Sequence, residues 1–238
     1  DSYNLEIIYD ANLTQVQKRG MKKQLSIKVS GHLHTLAVDE IMFATGKSPV
    51  TDIGLENAGI SYGKTGIKVT SNMMTTQTNI YAVGDATSSF YKFTHVSLLQ
   101  GRLAAHNILH PKKHLALDYR AIPRAIFTSP EVAAVGPSSK QLTAQNIPTT
   151  SAVSDVNVVS KSSVGPKTTG FVKLTAHKKT GKLLSACIVA PSASEMIHEL
   201  TLAINHGLRA SDIADTVHAF PTWSESIRVA ASKLASNK

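Results

Sequence analysis

The chain has 238 residues, and 25 lysines and arginines against 16 aspartates and glutamates give a formal net charge of +9 with neutral histidines. Hydrophobic residues make up 42% and charged residues 17% of the chain, a balance that excludes an intrinsically disordered polypeptide. The length suits one or two domains, and neither a membrane-spanning apolar run nor a secretory leader is visible, so we expect a cytoplasmic protein without a membrane partner.

The positive charge is scattered along the chain. The longest basic clusters are lysine pairs at positions 22–23, 112–113 and 178–179, and aromatic residues, at 5%, do not interleave with them. Net charge without a basic and aromatic stripe indicates only nonspecific attraction to anions. We therefore predict no nucleic-acid partner.

The first part of the chain is predicted to contain strands. Residues 5–9 and 25–29 are short β-prone runs, and the second alternates apolar with polar residues. Residues 40–45 are apolar at their centre, as expected for a strand buried on both faces, and residues 79–85 form a similar run. The last of these predicted strands stops abruptly at Gly84 and Asp85.

A helix is predicted to begin at Thr94 and to end before Pro111. Its expected apolar face consists of Leu98, Leu99, Leu103, Ala105 and Ile108, with Arg102 facing outward. Residues 110–121 carry two lysines and a proline and have the character of a domain boundary.

The remaining residues alternate between predicted strands and helices. Strands are expected at 124–128, 132–135 and near 151–156, with a short helix over 139–145 that opens at Ser138. Residues 171–176 and 183–189 flank a glycine-containing turn and predict a hairpin. Two Ser/Thr-x-x-Glu sequences, at 192–195 and 222–225, match the helix capping box, and Ser211 is the expected cap of the helix between them. The single cysteine, Cys187, lies in an apolar run and is predicted to be a buried core thiol.

The pair Gly84-Asp85 is the first candidate for chemistry. A carboxylate that follows a buried strand lies at the sheet edge where open α/β sheets bind ligands, and it can accept hydrogen bonds from sugar-type hydroxyls. Glycine lets a ligand approach the backbone closely. An ordinary turn is the alternative interpretation of this dipeptide.

Several motifs in fixed order give the sequence a family resemblance. They include Gly46-Lys47-Ser48-Pro49, the 54–60 and 78–85 segments, the 128–136 segment, and Pro221-Thr222 followed by Ser224-Glu225. From about residue 40 to the carboxyl end the chain resembles the pyridine nucleotide-disulfide oxidoreductases, a class that includes glutathione reductase, dihydrolipoamide dehydrogenase and mercuric reductase.

The resemblance implies a flavoenzyme that passes electrons from NAD(P)H through FAD to a disulfide and then to a small-molecule acceptor. Residues 1–46 would end an NAD(P)-binding domain, residues 47–116 would be the second segment of an FAD-binding domain, and residues 117–238 would form the interface domain of a homodimer. The implied fold is α/β and α+β: residual parts of two Rossmann-like nucleotide-binding domains, followed by an antiparallel sheet with helices.

The same resemblance assigns the cofactor contacts. Asp85, with Gly84, would bind the ribityl chain of FAD, and Gly46 and Lys47 are further implied cofactor residues. Phe93, Thr94 and His95 would lie at the flavin, where the positive end of a helix stabilises charge on the reduced ring; a surface or capping role is the alternative for His95.

Three departures from the family limit what this chain could do by itself. Its 14 glycines contain no Gly-x-Gly-x-x-Gly fingerprint, and Cys187 has no redox partner. The family's His-x-His-Pro-Thr-x-x-Glu motif appears with Phe220 in place of the second histidine, and a phenyl ring cannot transfer a proton. The remaining acid–base candidates are His218, about 6–7 Å from that position in an extended chain, and Glu225, which a capping box would also explain.

Two functional hypotheses therefore stand. The first is the carboxyl-terminal portion of an FAD- and NAD(P)H-dependent oxidoreductase, inactive alone, which supplies half a flavin site and a dimer surface. The alternative is a standalone, non-catalytic dimerisation or binding module. We predict no metal site for either.

Overall fold

The structure is a computed structural model that describes residues 5–165 and 168–236. The chain divides after Ser48 into two compact units. Within the described residues, none of the helices combines the length and the apolar character needed to cross a membrane.

The first unit contains an antiparallel three-stranded meander. Its strands are β1 (Asn12–Arg19), β2 (Lys22–Val29) and β3 (His32–Val38), in that spatial order. Within these strands only Ile27 is buried. The prediction of a strand at 25–29 is confirmed as part of β2, whereas β1 and β3, which are rich in polar residues, were not predicted.

Two predicted strands of the first unit are wrong. Residues 5–9 and 40–45 have no ladder partner among the described strands, and the apolar side chains of Met42 and Phe43 are exposed. β-Prone residues form a strand only where a neighbouring strand completes their hydrogen bonds, which explains why composition misled the prediction.

The second unit begins with irregular structure and one long helix. A two-residue hairpin pairs β4 (Tyr62–Gly63) with β5 (Gly66–Ile67), and helix α1 spans Thr94–Leu109. The predicted start of the helix at Thr94 is confirmed. The strand predicted at 79–85 is wrong: it contributes a single bridge between Met74 and Tyr81, and it ends in a 3-10 turn, Gly84–Ala86.

The buried face of α1 differs from the predicted apolar face. Of the five predicted residues only Leu103 is buried, while Leu98 is 62% and Ile108 is 56% exposed. The buried face instead includes Gln100 and Asn107, whose side chains hydrogen-bond to buried partners. Burial of polar residues costs less when their donors and acceptors are paired, so the hydrophobic pattern alone predicted the wrong buried face for this helix.

Five antiparallel strands form the main sheet. They are β6 (Arg124–Ile126), β7 (Glu131–Val135), β8 (Thr149–Asp155), β9 (Phe171–His177) and β10 (Leu183–Ala190), in the spatial order β6-β7-β10-β9-β8. Helix α2 (Ser139–Ala144) precedes β8 and begins at a complete capping box between Ser138 and Gln141. These strands, the β9–β10 hairpin and the α2 cap confirm the predictions.

Helices α3 (Ala193–His206), α4 (Ala210–Ala214) and α5 (Glu225–Ser236) complete the second unit. Helix α3 packs on β7 and β10, and α5 packs on β8 and β9, so a continuous apolar core lies between the sheet and the helices. Leu174, Ile188, Leu200 and Ile227 are among its fully buried side chains. The predicted α+β architecture is confirmed here.

The predicted caps of the last helices need correction. Ser192 has φ +60 and makes no capping bond; the carboxylate of Glu131 instead accepts from the Ser194 amide at 2.9 Å. Ser211 lies inside α4, where the carboxylate of Asp212 accepts from the Arg209 amide at 2.7 Å. Glu131 is too distant in sequence for a local motif search to find. Asp212 is close in sequence, but the sequence analysis assigned the cap to Ser211 instead.

Candidate functional site

The Gly84-Asp85 turn lies against the first turns of α1. The amide of Gly84 donates to Oε1 of Gln100 at 2.6 Å, and a Cβ at Gly84 would come within 3.2 Å of Oγ of Ser97. Gly84 also has φ +73, a conformation that favours glycine. Both the backbone angle and the close approach to the helix therefore explain the glycine that precedes Asp85.

Lys92 holds the far side of this turn. Its Nζ donates to the carbonyl oxygens of Asp85 at 2.8 Å, Thr65 at 3.1 Å and Thr87. Asp85 itself is half-buried in the turn. The sequence analysis missed Lys92 and Gln100 as the residues that position the turn, although a polar residue on the inner face of a helix, like Gln100, is a usable signal.

The amino end of α1 presents the residues predicted to meet a flavin. Phe93 is the residue before the helix and provides no side-chain cap, while Thr94 and His95 begin the helix and are exposed. Amide groups in the first turn of a helix lack intrahelical partners, so this end can donate hydrogen bonds to an acceptor. The structure thus brings Gly84, Asp85 and the start of α1 together.

His95 is tied to its own surroundings. Its ring stacks on Phe93 with centroids 5.3 Å apart, and its Nε2 lies 2.9 Å from the carbonyl oxygen of Pro123. Because a carbonyl only accepts, Nε2 carries the proton of the neutral ring. Contact of His95 with a flavin stays a prediction.

A cavity of about 470 Å³ opens beside this helix end. Its wall includes Phe93, Thr94 and His95 on one side and Ser194, Glu195 and His198 from the start of α3 on the other. The volume lies within the range of small-molecule sites. The amino ends of α1 and α3 therefore border one space. The uncapped end of α1 can donate to an acceptor-rich group there, whereas Glu131 already caps the end of α3.

Gly46 and Lys47 belong to the first unit. Gly46 has φ +93 with open space where a Cβ would lie, and both residues are exposed. Their assignment to a cofactor stays a prediction.

The carboxyl-terminal acid–base candidates have different partners from those predicted. Nε2 of His218 lies 3.0 Å from Oε1 of Glu199 on α3, and its Nδ1 lies 2.9 Å from the carbonyl oxygen of Thr216. Glu225 accepts from the amide of Thr222 at 3.3 Å, whereas the Thr222 hydroxyl donates to Ala219 instead of capping α5. Only half of the predicted capping box forms, and Glu199 is a functional candidate that no local motif revealed.

Both ring nitrogens of His218 face acceptors, which restricts its protonation. Nδ1 must carry a proton to bond the Thr216 carbonyl, and the contact between Nε2 and Glu199 requires a second proton shared between ring and carboxyl. Burial raises the pKa of Glu199 above its ordinary value, and the adjacent His218 opposes that rise. The pair is therefore a hydrogen-bonded imidazole and carboxyl, with the ring buried and the carboxyl half-buried.

Phe220 occupies the position of the missing histidine and is 73% exposed. Its ring cannot exchange a proton. The nearest titratable residue in the sequence is His218, two positions earlier, which pairs with Glu199. Transfer through His218 stays a prediction.

Cys187 is half-buried rather than fully buried, which corrects the prediction of a core thiol. Its side chain lines a cleft with Arg124 and Lys173 on the face of β10 opposite the core. Burial raises the pKa of the thiol, and the charges of Arg124 and Lys173 partly oppose this.

Comparison with known protein families identifies two matches. Residues 122–231 match the dimerisation domain of the pyridine nucleotide-disulphide oxidoreductases, and residues 2–101 match the pyridine nucleotide-disulphide oxidoreductase domain.

Curated relatives agree with these matches. A mercuric reductase of Staphylococcus aureus is 32% identical over 95% of this chain and 42% of its own length. A dihydrolipoyl dehydrogenase of Chlamydia pneumoniae is 35% identical over 93% of this chain and 47% of its own length. The chain thus spans about half the length of the relatives it matches.

Solved structures share the fold. LpdA from Mycobacterium tuberculosis superimposes with a TM-score of 0.85 at 26% identity, covering 94% of this chain and 48% of that one. The HOCl-induced flavoprotein disulfide reductase RclA from Escherichia coli gives a TM-score of 0.81 at 25% identity, covering 94% and 51%.

Proposed function

Because this chain belongs to the pyridine nucleotide-disulphide oxidoreductase family, we propose that it works as part of an FAD-dependent NAD(P)H oxidoreductase. The remaining parts would correspond to the other half of its relatives and would carry the dinucleotide fingerprints and the redox cysteines. The end of the NAD(P)-binding domain would be residues 1–46, and the second segment of the FAD-binding domain would be residues 47–116. The dimer interface would be formed by residues 117–238.

The observation that carries the proposal is the placement of Asp85 at the amino end of α1. FAD combines hydroxyls on its ribityl chain with a ring system that gains negative charge on reduction. A half-buried carboxylate, in a turn whose backbone is held by Lys92 and Gln100, can accept bonds from the hydroxyls. The uncapped start of α1 can donate to the ring and stabilise its charge.

Bound FAD would supply the two-electron chemistry, and this chain's own residues would bind and orient it. Asp85 would bind the hydroxyls of the ribityl chain. The backbone at Thr94, where α1 begins, would direct the positive end of the helix dipole toward the flavin ring. His95 would keep its Nε2 proton on Pro123 and pack its ring beside Phe93, which limits water at that wall of the cavity.

We further propose that the Glu199–His218 pair takes over acid–base work near Phe220 in a homodimer formed through residues 117–238. The pair holds a proton in a site where burial raises the pKa of the carboxyl, which favours exchange closer to neutral pH than an exposed glutamate allows. Glu225 would remain a structural residue.

The acceptor would be a small molecule, and the cytoplasm is the expected compartment because a reducing environment suits a redox enzyme with free thiols. The names of the relatives suggest two acceptor classes, mercuric ion and a lipoyl-type disulfide, the oxidised counterpart of a dihydrolipoyl dithiol. A standalone dimerisation module is the competing hypothesis.

Anaerobic titration of the protein at its full gene length with NADH and NADPH tests the proposal. We expect a yellow protein whose flavin absorbance bleaches with one of the two nucleotides. A colourless protein that dimerises would support the binding-module hypothesis and refute the oxidoreductase.

A further inference from the structure

A cleft of about 350 Å³ lies on the face of the main sheet opposite the helices. One row of cross-strand neighbours runs through it. Arg124 on β6 pairs with Ala134 on β7, which pairs with Cys187 on β10. Cys187 in turn pairs with Lys173 on β9. Because directly paired residues project from the same face of a sheet, the two cations flank the thiol on opposite sides.

Small residues make room between the two long side chains. Ala134 separates Arg124 from Cys187 in the row, and Gly136 follows at the end of β7. A Cβ at Gly136 would lie only 2.9 Å from the Cβ of Ser185, so no side chain fits there. The close pairing of the backbone therefore keeps this part of the cleft open.

The cleft carries positive charge that no carboxylate balances within the described residues. Nζ of Lys173 donates to Oγ of Ser139 at 3.3 Å, and Nη1 of Arg124 donates to the carbonyl oxygen of Gly136 at 3.2 Å. Neither cation forms a salt bridge in residues 5–165 and 168–236, and no acidic residue of these ranges lines the cleft. Burial raises the pKa of the Cys187 thiol, and both cations oppose this, so both act on the same space.

A buried hydroxyl opens into the same cleft without a partner. Ser185 lines the cleft and is only 8% exposed, and its hydroxyl has no hydrogen bond to any described residue. Its cross-strand neighbour Thr175, which is 3% exposed, shows the usual situation, because its hydroxyl lies 2.9 Å from Oγ of Ser151. Buried polar groups are normally paired, so the Ser185 hydroxyl is available to a ligand.

These groups define the chemistry of a ligand. A guanidinium, an ammonium and a hydroxyl can all donate hydrogen bonds, and the guanidinium fork matches the geometry of phosphate oxygens. A phosphomonoester carries a charge of about −1.5 to −2 at pH 7, which balances two cations. The cleft volume is at the lower end of the range for small-molecule sites, about 300–1,000 Å³. Phe171 and Ala134 add apolar lining for an organic group.

We propose that this cleft binds the phosphate group of a small phosphomonoester. Arg124 and Lys173 would contact the phosphate, and Ser185 would donate its free hydroxyl proton to a phosphate oxygen. Phe171, at the rim of the cleft, would contact the organic part. Cys187 would be covered by the bound ligand and would therefore report on occupancy.

Alkylation of Cys187 tests the site in the protein at its full gene length. Iodoacetamide labels the native protein, and mass spectrometry measures the labelled fraction of the peptide that contains Cys187. Phenyl phosphate should slow this labelling in a saturable manner, and phenol should not. Inorganic phosphate should protect only at higher concentration, because it lacks the apolar group; protection at equal concentrations would refute a site built for an ester.

Variants are compared by the phenyl phosphate concentration that halves the labelling rate, because this ratio cancels any change in the basal reactivity of the thiol. Arg124→Gln and Lys173→Gln should each raise that concentration about tenfold or more. Ser185→Ala should raise it by a smaller factor. The control Lys179→Gln, which removes an exposed lysine outside the cleft, should leave it within about twofold.

Circular dichroism verifies that each variant is folded, and the wild-type result needs no variant. Wild-type Cys187 that phenyl phosphate does not protect would overturn the site. Native Cys187 that iodoacetamide cannot label would also overturn it, because the cleft would then be closed. An equal effect of Lys179→Gln and Lys173→Gln would reduce the binding to nonspecific attraction and would refute the proposal.

Discussion

The Glu199–His218 pair allows a quantitative test of the acid–base candidate. The side chain of His218 is 6% exposed and that of Glu199 is 33% exposed, with 3.0 Å between Nε2 and Oε1. At an effective dielectric constant of about 20, opposite unit charges at this distance attract by about 5.5 kcal/mol. The raised pKa of Glu199 shows that desolvation offsets much of this attraction.

We therefore expect a coupling free energy of about 1–2 kcal/mol from the double-mutant cycle of His218→Gln and Glu199→Gln. Urea unfolding followed by fluorescence of Trp223, the single tryptophan, reports on the unit that contains the pair, because Trp223 packs against its core. The exposed pair of Arg120 and Asp118, 2.7 Å apart, is the matched control and should couple by no more than about 0.5 kcal/mol.

The cycle has a pH dependence of defined sign. A carboxyl whose folded-state pKa lies above its unfolded value, about 4.3, contributes stability at low pH that is lost as pH rises through the folded pKa. In His218→Gln the opposing charge is absent, so the pKa of Glu199 rises further. The stability that protonated Glu199 contributes at low pH should therefore persist to higher pH in His218→Gln than in wild type. Loss of this stability over the same pH range in both proteins, or coupling no larger than in the control pair, would refute the account of the pair.

Three further predictions concern the second unit. Glu131→Gln should lower the free energy of unfolding by about 1 kcal/mol because the carboxylate caps α3. Since the Ser194 bonds lower the pKa of Glu131, this stabilisation should hold above about pH 4.3 and be lost as pH falls through the lower folded pKa. A difference between variant and wild type that does not change with pH would contradict this. In urea unfolding, Gly136→Ala should be far more destabilising than Gly181→Ala. Both glycines have positive φ, but of the two only Gly136 would place a Cβ 2.2 Å from a backbone oxygen, that of Leu184. Equal losses of unfolding free energy in the two variants would disprove the packing argument. Cys187 should react with a thiol reagent more slowly in the folded chain than in urea, because burial raises its pKa, and equal rates would show that the thiol is freely accessible.

Local sequence patterns predicted the carboxyl-terminal fold well. The β9–β10 hairpin and the Ser138 cap of α2 depend on residues close in sequence, and both form as predicted. Strands 40–45 and 79–85 failed because a strand requires a partner, and composition does not reveal whether one is available.

The candidate site was predicted only where its residues carry local motifs. Gly84, Asp85 and the start of α1 carry motif signals, and the structure brings them together. Glu199 was missed because it pairs with His218 across 19 residues of chain, through a contact that only the packing of α3 creates. Likewise, Glu131 caps α3 from a strand 63 residues away.

Flavin content of the protein at its full gene length tests the central proposal most directly. We predict about one FAD per chain in the wild type, strong loss of bound FAD in Asp85→Ala, and retention in the surface control Asp118→Ala. A wild type purified without flavin, or an Asp85→Ala variant that binds FAD as tightly as wild type, would contradict the account.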